Sequence, residues 1–369
     1  MRSLKSVLII HPFGIGDVLF SLPLVATLRE ARPDAQIGYL CNRRTNQLVA
    51  IWPHVNRHFI FEKDEFRAAW GSSKIKGSRH LLDIIRTIRA ERFDIAIDLS
   101  LGWQMGLASW MAGIPKRIGF DFRGRGRFLT HKLPLNGFQN KPVAEYYLDL
   151  LTLLGIEKPP QSPYELTLPA SVSPQVEEFL APHHIQAGER LIGIVPGGGA
   201  SWGPSAVFKQ WPPEKFAQMA DTLASGEKTR VILFGDQQES SLCRKIAAQL
   251  KHPPILATQI SSLVLLAGIL KRCHLVIGND SGPMHLAAAV GTKTVSIFGP
   301  VDAAVYGPVP KNPELHRVVA QSMACRPCYQ QFRFPPCPWD NACLKKLPVA
   351  EVLNAAEASL RGANATKQS

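Results

Sequence analysis

The sequence predicts an α/β protein built from two doubly wound, mostly parallel sheets. Three observations carry this. Short apolar runs alternate with helix-length stretches, and the alternation occurs twice along the chain. A proline-dense break separates the two series. Each series opens on the same unit: a strand, a glycine-rich turn and a helix.

In the first series, Val7–Ile10 reads as a buried strand and is followed by a glycine-rich turn. Val18–Ala31 then reads as one helix, with Pro23 near enough to its start to be tolerated or to kink it. Gln36–Leu40, Phe59–Phe61 and Ile95–Leu99 read as further strands. The break holds Pro159, Pro160, Pro163, Pro169, Pro174 and Pro182, a density that resists regular structure. The second series runs strand Leu191–Val195, helix Pro213–Leu223, strand Val231–Phe234 and helix Glu239–Leu250. It continues with strand Leu275–Ile277, helix Met284–Val290 and strand Thr294–Phe298. Residues 1–168 are thus expected to form one domain, 169–187 a linker, 188–348 a second domain and 349–369 a terminal helix and tail. Ligands of such sheets bind beyond the carboxyl ends of the strands, so both glycine-rich turns are expected to face one cleft.

Composition narrows the function. The 369 residues are 46% hydrophobic and 19% charged, which is globular rather than disordered. No uninterrupted apolar run approaches the roughly 18–20 residues of a membrane helix, and Val7–Ile10 is too short for a secretory signal. A secreted or membrane-spanning protein is therefore not expected. The net charge is +13, of which residues 1–150 carry +9. Such an excess suits nucleic acid, an anionic membrane surface or an acidic substrate. No zinc finger, helix-turn-helix cue or aromatic RNA-binding strand supports nucleic acid.

Four segments carry chemistry. In His11-Pro12-Phe13-Gly14-Ile15-Gly16-Asp17, Gly14 and Gly16 permit close backbone approach at a helix start that attracts anions. It is neither a dinucleotide fingerprint nor a P-loop, since Leu19 holds the third glycine position and no Gly-Lys-Ser/Thr follows. Asp17 is either a cap for that helix or a general base for an acceptor hydroxyl. Gly197, Gly198 and Gly199 expose successive amides that can cradle an anion, and Lys209 lies just before the next helix. Glu239, past a strand, suits a ribose diol or a dipole-favoured first-turn position. In Gly278-Asn279-Asp280-Ser281-Gly282-Pro283-Met284-His285, Ser281 or Gly282 can cap, and Asp280 can accept from sugar hydroxyls. His285 is either a phosphate contact or a satisfied core histidine.

The order of these segments resembles glycosyltransferase family 9, the ADP-heptose:lipopolysaccharide heptosyltransferases and their relatives. Gly-x-Gly-Asp, Pro-Gly-Gly with Lys-x-Trp-Pro, Phe-Gly-x-x-x-Glu, Asn-Asp-Ser-Gly-x-x-His and Phe298-Gly299-Pro300 span roughly Val7 to Val352. The resemblance implies a GT-B fold: two facing Rossmann-like domains, with a C-terminal helix crossing back to the first. It implies an inverting transfer with no metal needed for chemistry. It makes Asp17 the catalytic base, Lys209 a phosphate contact and Glu239 the ribose ligand. Donor binding falls to Gly197, Gly198, Gly199, Asp280, Ser281, Gly282 and His285. The implied donor is ADP-heptose or another nucleotide sugar, and the implied acceptor an anionic lipopolysaccharide precursor. The implied location is the cytoplasm, with peripheral contact at the inner membrane. Acceptor contacts are expected from His11, Gly14 and Gly16, although His11 stands where relatives often carry Arg or Lys. Arg123 and Arg125, with Arg117 and Arg127, either grip anionic acceptor groups or belong to a mobile surface loop. A nucleotide-sugar binder without catalysis is the other reading of the same motifs.

Cys325, Cys328, Cys337 and Cys343 follow the pattern C-x2-C-x8-C-x5-C. Four thiols at this spacing suit a structural zinc site, with free thiols as the competing reading. Cys41, Cys243 and Cys273 read as core residues.

Overall fold

The first strand, β1 (Ser6–Ile10), is buried along its whole length, as a central parallel strand covered on both faces must be. It pairs in parallel with β2 (Gln36–Cys41) and β4 (Ile95–Asp98), so that Ile10 lies opposite both Leu40 and Asp98. β3 (Arg57–Ile60), β5 (Lys116–Phe122) and β6 (His131–Leu135) complete an all-parallel sheet of order β3-β2-β1-β4-β5-β6. The second sheet contains β7 (Arg190–Val195), β8 (Thr229–Phe234), β9 (Ile255–Ala257), β10 (Leu275–Asn279), β11 (Thr294–Ile297) and β12 (His316–Val319). Its order, read from the far edge, is β9-β8-β7-β10-β11-β12. The two sheets thus share one winding, with the strand order reversing between β1 and β4 and between β7 and β10. Such reversal points open a crevice where ligands bind.

The computed structural model describes residues 5–361 other than 63, 64, 66, 67, 69, 70, 161–163, 187 and 227, so Pro163 and the tail 362–369 lie outside the described residues. The chain divides into two compact units, Met1–Tyr164 and Glu165–Ser369. Leu8, Ile10, Phe59, Phe93, Met105 and Ala108 belong to a core cluster of the first unit. Ile192, Ile194, Trp211, Phe216, Val295 and Leu344 belong to one in the second.

Several local expectations change. The stretch read as one helix is two, Ile15–Phe20 and Leu22–Ala31. The break falls at Ser21, whose N–H donates to the Val18 carbonyl at 3.0 Å in a tightened last turn. Pro23 then sits in the first turn of the second helix, where its missing donor costs nothing. Within the proline-dense stretch read as a linker, Val172–Leu180 is a helix with Val172, Val176 and Leu180 buried. Gly268 explains its seat: a Cβ there would lie 2.6 Å from both Val172 and Val176. The basic segment 117–127, for which a surface loop is one of two readings, is strand as far as Phe122. The helix Val349–Arg361 rests on the helix Pro213–Ala224 and on β10, β11 and β12. Val352 and Ala356 are fully buried there. Among the described residues, no helix is long and apolar enough to cross a membrane.

Candidate functional site

In the second unit the turn after β7 and the turn after β10 meet at the reversal point. Asn279, the last residue of β10, joins them. Its amide nitrogen donates to the Pro196 carbonyl at 2.7 Å, and its Oδ1 accepts from the Trp211 N–H at 3.0 Å. The side chain is fully buried, so both ends of the amide are used where water cannot substitute. Gly197 is packed so closely that a Cβ would lie 1.9 Å from Glu239 Oε1, and one on Gly198 would lie 2.2 Å from the Ala206 carbonyl oxygen. At Gly198 the obstacle is backbone and only glycine fits; at Gly197 a Cβ would displace the Glu239 carboxylate.

Lys209 and Asp280 are both buried, with Nζ 2.7 Å from Oδ2. His285 Nε2 stands 3.4 Å from the other carboxylate oxygen. Burial alone would raise the Asp280 carboxyl, but the Lys209 ammonium and the His285 contact outweigh it and hold the group below the usual carboxylate range. The Lys209 ammonium also lies 4.3 Å over the Trp202 ring. An ammonium carries three donors, so Asp280 does not exhaust it. Ser281 is the N-cap of the helix Gly282–Ala289, yet its hydroxyl makes no capping bond. That oxygen is buried without a hydrogen-bond partner among the described residues. A buried hydroxyl without a partner beside open helix-start amides suits an anionic ligand.

The sequence-predicted donor residues Gly197, Gly198, Gly199, Lys209, Glu239, Asp280, Ser281, Gly282 and His285 therefore gather around one crevice of one unit. Glu239 sits at the N-cap of the helix Ser240–Ala247 with its carboxylate against Gly197. Lys209 and Asp280, read separately as phosphate and sugar contacts, form one ion pair. Asn279 and Trp202 carried no role in the sequence reading. The signal available for Asn279 was an amide ending an otherwise apolar strand.

In the first unit, Gly14 caps the helix Ile15–Phe20, and its N–H donates to Asp17 Oδ2 at 3.2 Å. Asp17 thus does cap the helix, and it remains half-buried at the carboxyl end of β1. Gly16 lies beside it in the first turn. His11 is fully buried between Phe13 and Tyr147, and its Nε2–H donates to the Asp17 carbonyl at 2.9 Å. Burial drives its pKa down to about 3 against that bond, so the ring is neutral. A neutral His11 offers no cation to an anionic ligand; it braces the turn instead. Arg123 and Arg125 stand exposed at the turn after β5, over the Phe122 ring.

Residues 81–333 match the family described as Glycosyltransferase family 9 (heptosyltransferase). Lipooligosaccharide heptosyltransferase 2 of Campylobacter jejuni is 31% identical over 96% of this chain and 98% of its own. The chain belongs to glycosyltransferase family 9. Two solved structures resemble this family 9 enzyme. The glycosyl transferase family 9 protein of Veillonella parvula has a TM-score of 0.81 at 23% identity, covering 98% of this chain and 99% of the other. The E. coli ADP-heptose lps heptosyltransferase II has a TM-score of 0.75 at 22% identity, covering 98% and 100%. The glycosyltransferase has the GT-B fold, with one Rossmann-like sheet in each unit.

Two further features of the glycosyltransferase follow from its topology. Asp98 ends β4 at the first unit's reversal point and is buried. Burial pushes its carboxyl up to about 6, although the Ser100 N–H, donating at 2.8 Å, pulls it down. With the ordinary value at 3.8, ionisation in the folded state costs about 3 kcal/mol. That cost is absent below pH 4, grows between 4 and 6 and is complete above 6. Asp98→Asn is therefore expected to raise the unfolding temperature at pH 8 and to leave it unchanged near pH 4. A less stable variant at pH 8 would show that the carboxylate is needed for its bonds.

The other feature is the cysteine segment. Cys325, Cys328, Cys337 and Cys343 line one small cavity together with Phe208 and Arg326. The Cys328 N–H donates to the Pro300 carbonyl at 3.0 Å, and Arg326 donates to the Gly299 carbonyl, so Phe298-Gly299-Pro300 anchors the segment. Tyr329 and Phe334 carry it to Trp202, with ring centroids 5.1 and 5.2 Å away. None of the four thiols is in a disulfide. Among the described residues, no group of three or more His, Cys, Asp or Glu side chains is placed to hold a metal ion. The four thiols converge on one cavity. Cys41, Cys243 and Cys273 are buried core residues, and burial pushes the first two thiols up to about 12.

Proposed function

We propose that this enzyme transfers a heptose from ADP-heptose to the inner core of a lipopolysaccharide precursor, with inversion at the anomeric carbon. The observation that carries the reading is the buried Lys209–Asp280–His285 set beside the Ser281 hydroxyl, which has no hydrogen-bond partner among the described residues, at the reversal point of a Rossmann-like sheet. The Campylobacter jejuni relative named above is a heptosyltransferase.

In this reading the second unit binds the nucleotide sugar. Glu239 accepts from the ribose diol. Lys209, the Ser281 hydroxyl and the amides opening the helix Gly282–Ala289 take the diphosphate. As the acceptor oxygen bonds to the anomeric carbon, the bond to the departing phosphate oxygen breaks. Negative charge grows on that phosphate, and Lys209 stabilises it more in the transition state than in the ground state. Asp17 takes the proton from the acceptor hydroxyl. His11, Gly14 and Gly16 hold the turn that presents Asp17. Arg123 and Arg125 meet acidic groups of the acceptor, which is lipid-linked and brings the enzyme to the inner membrane face.

The test is a panel of nucleotide sugars incubated with truncated lipopolysaccharide, with the product identified by mass. Addition of one heptose from ADP-heptose is expected, at a rate unchanged by EDTA because protein groups supply the positive charge. Transfer only from a non-heptose donor would overturn the sugar assignment, and loss of turnover with chelator would overturn the metal-free chemistry. Nucleotide-sugar binding with no transfer to any acceptor would reduce the protein to a binder.

A further inference from the structure

The helix Trp103–Met111 shows two opposite faces. Met105 and Ala108 enter the core of the first unit. Trp103, Trp110 and Met111, at spacings of seven and one, point the other way and are 36%, 57% and 38% exposed. Single exposed apolar residues are ordinary, but three on one helix face form a patch that needs a cause. Phe128, from the 3-10 turn Arg125–Phe128, extends it: its ring centroid lies 6.3 Å from that of Trp103 and 6.4 Å from that of Trp110.

The rim of this patch is basic. Residues 103–135 hold six Lys and Arg against one acidic residue, Asp121. That acid is already matched, since Lys132 Nζ lies 2.6 Å from its carboxylate. Arg117 turns inward, donating to the Phe128 and Ile114 carbonyls. Arg123, Arg125 and Arg127 are exposed. Arg127 lies 4.7 Å over the Trp103 ring, so cation and indole share one surface. Gly124 and Arg123 both adopt left-handed backbone, with φ of 72° and 54°, at the bend that carries these arginines.

We propose that this surface, the outer face of Trp103–Met111 with the Arg123–Phe128 turn, docks on an anionic lipid bilayer. Indoles at a water–hydrocarbon boundary bury their rings and keep the N–H wet, while arginines meet lipid phosphates. Each basic group near such a surface contributes about 1 kcal/mol, and the apolar contact adds to it. The inference rests on the lipid-linked acceptor reading only for its biological purpose. Lipid binding is measured without any sugar substrate, so the two fail separately.

The full chain is sedimented with vesicles of phosphatidylcholine, with or without phosphatidylglycerol, at low and high salt. Binding to the anionic vesicles is expected to exceed binding to the neutral ones roughly tenfold or more and to weaken with salt. The double variant Trp110→Ser/Met111→Ser is expected to bind about tenfold more weakly. Because both side chains are exposed, its thermal unfolding and its KM for a water-soluble, delipidated acceptor are expected to be unchanged. Equal binding to both vesicle types overturns the proposal, as does wild-type binding by the double variant. A raised KM for the soluble acceptor would make the patch a saccharide platform instead. Self-association abolished by the same substitutions would assign it to a second copy of the chain.

Discussion

Replacing Asp17 with Asn is expected to lower kcat about a thousandfold while leaving donor affinity within about twofold of wild type. The magnitude is that of a lost general base. Asn is the informative substitution because it separates the capping bond of Asp17 from the proton transfer proposed for it. Its carboxylate accepts the Gly14 N–H at the start of the helix Ile15–Phe20. An Asn Oδ1 can accept the same bond but cannot take a proton. Asp17→Ala removes both functions and is expected to add a loss of about 1 kcal/mol in stability, the usual value of such a cap. Steady-state kinetics and isothermal titration with the donor product ADP check the first expectation, and thermal unfolding checks the second. If the Asn variant kept near-normal kcat, capping would be the whole role of Asp17 and the base would have to be sought elsewhere.

Lys209→Ala is expected to remove turnover and to destabilise the second unit by about 3–5 kcal/mol, the cost of leaving a buried charge without its partner. The buried Asp280 carboxylate would then keep the His285 contact without the Lys209 charge. The double variant Lys209→Met/Asp280→Leu removes both charges and is expected to recover most of the stability but none of the activity. This separates the structural cost of an orphaned charge from the chemical loss of a phosphate contact. Denaturant unfolding read on a second-unit probe measures the first, and product formation the second. A Lys209→Ala protein with wild-type stability would mean that the ion pair does not exist in solution. The pair also sets a pH dependence. The folded Asp280 carboxyl lies below its unfolded value. Its stabilisation is therefore present above the ordinary carboxylate range and is lost as pH falls through the depressed value.

Much of this enzyme was legible in order along the chain. Central strands of parallel sheets are buried on both faces, so β1, β7 and β10 appear as unbroken apolar runs. The turns after them carry glycine for a steric reason visible in the packing, as at Gly197 against Glu239. Outer strands were harder to read. β6, at the sheet edge, mixes Lys and His with apolar residues, and β5 beside it opens on Lys116 and Arg117 at its partly exposed start; that pattern looks like loop. The helix inside the proline-dense stretch was hidden for another reason: its apolar face has meaning only against Gly268, about 90 residues away.

The candidate site divides in the same way. The residue types that could hold a nucleotide sugar stand in recognisable motifs, because a helix start, a glycine turn and a charged side chain each announce their chemistry locally. What those motifs do to one another was not in the sequence. Lys209 and Asp280 are 71 positions apart and become one ion pair only when β7 and β10 lie side by side. Asn279 acquires its clamp on Pro196 and Trp211 by the same adjacency. The four cysteines were legible as a pattern, yet only folding decided that they line one cavity. The sequence by itself determined two Rossmann-like halves and the inventory of site residues, since both follow from local periodicity and from residue chemistry. Tertiary structure alone decided which charges pair, which buried hydroxyls lack a partner among the described residues and which tryptophans face outward. Those outcomes depend on distances between segments that the strand order brings together, and no local pattern encodes them.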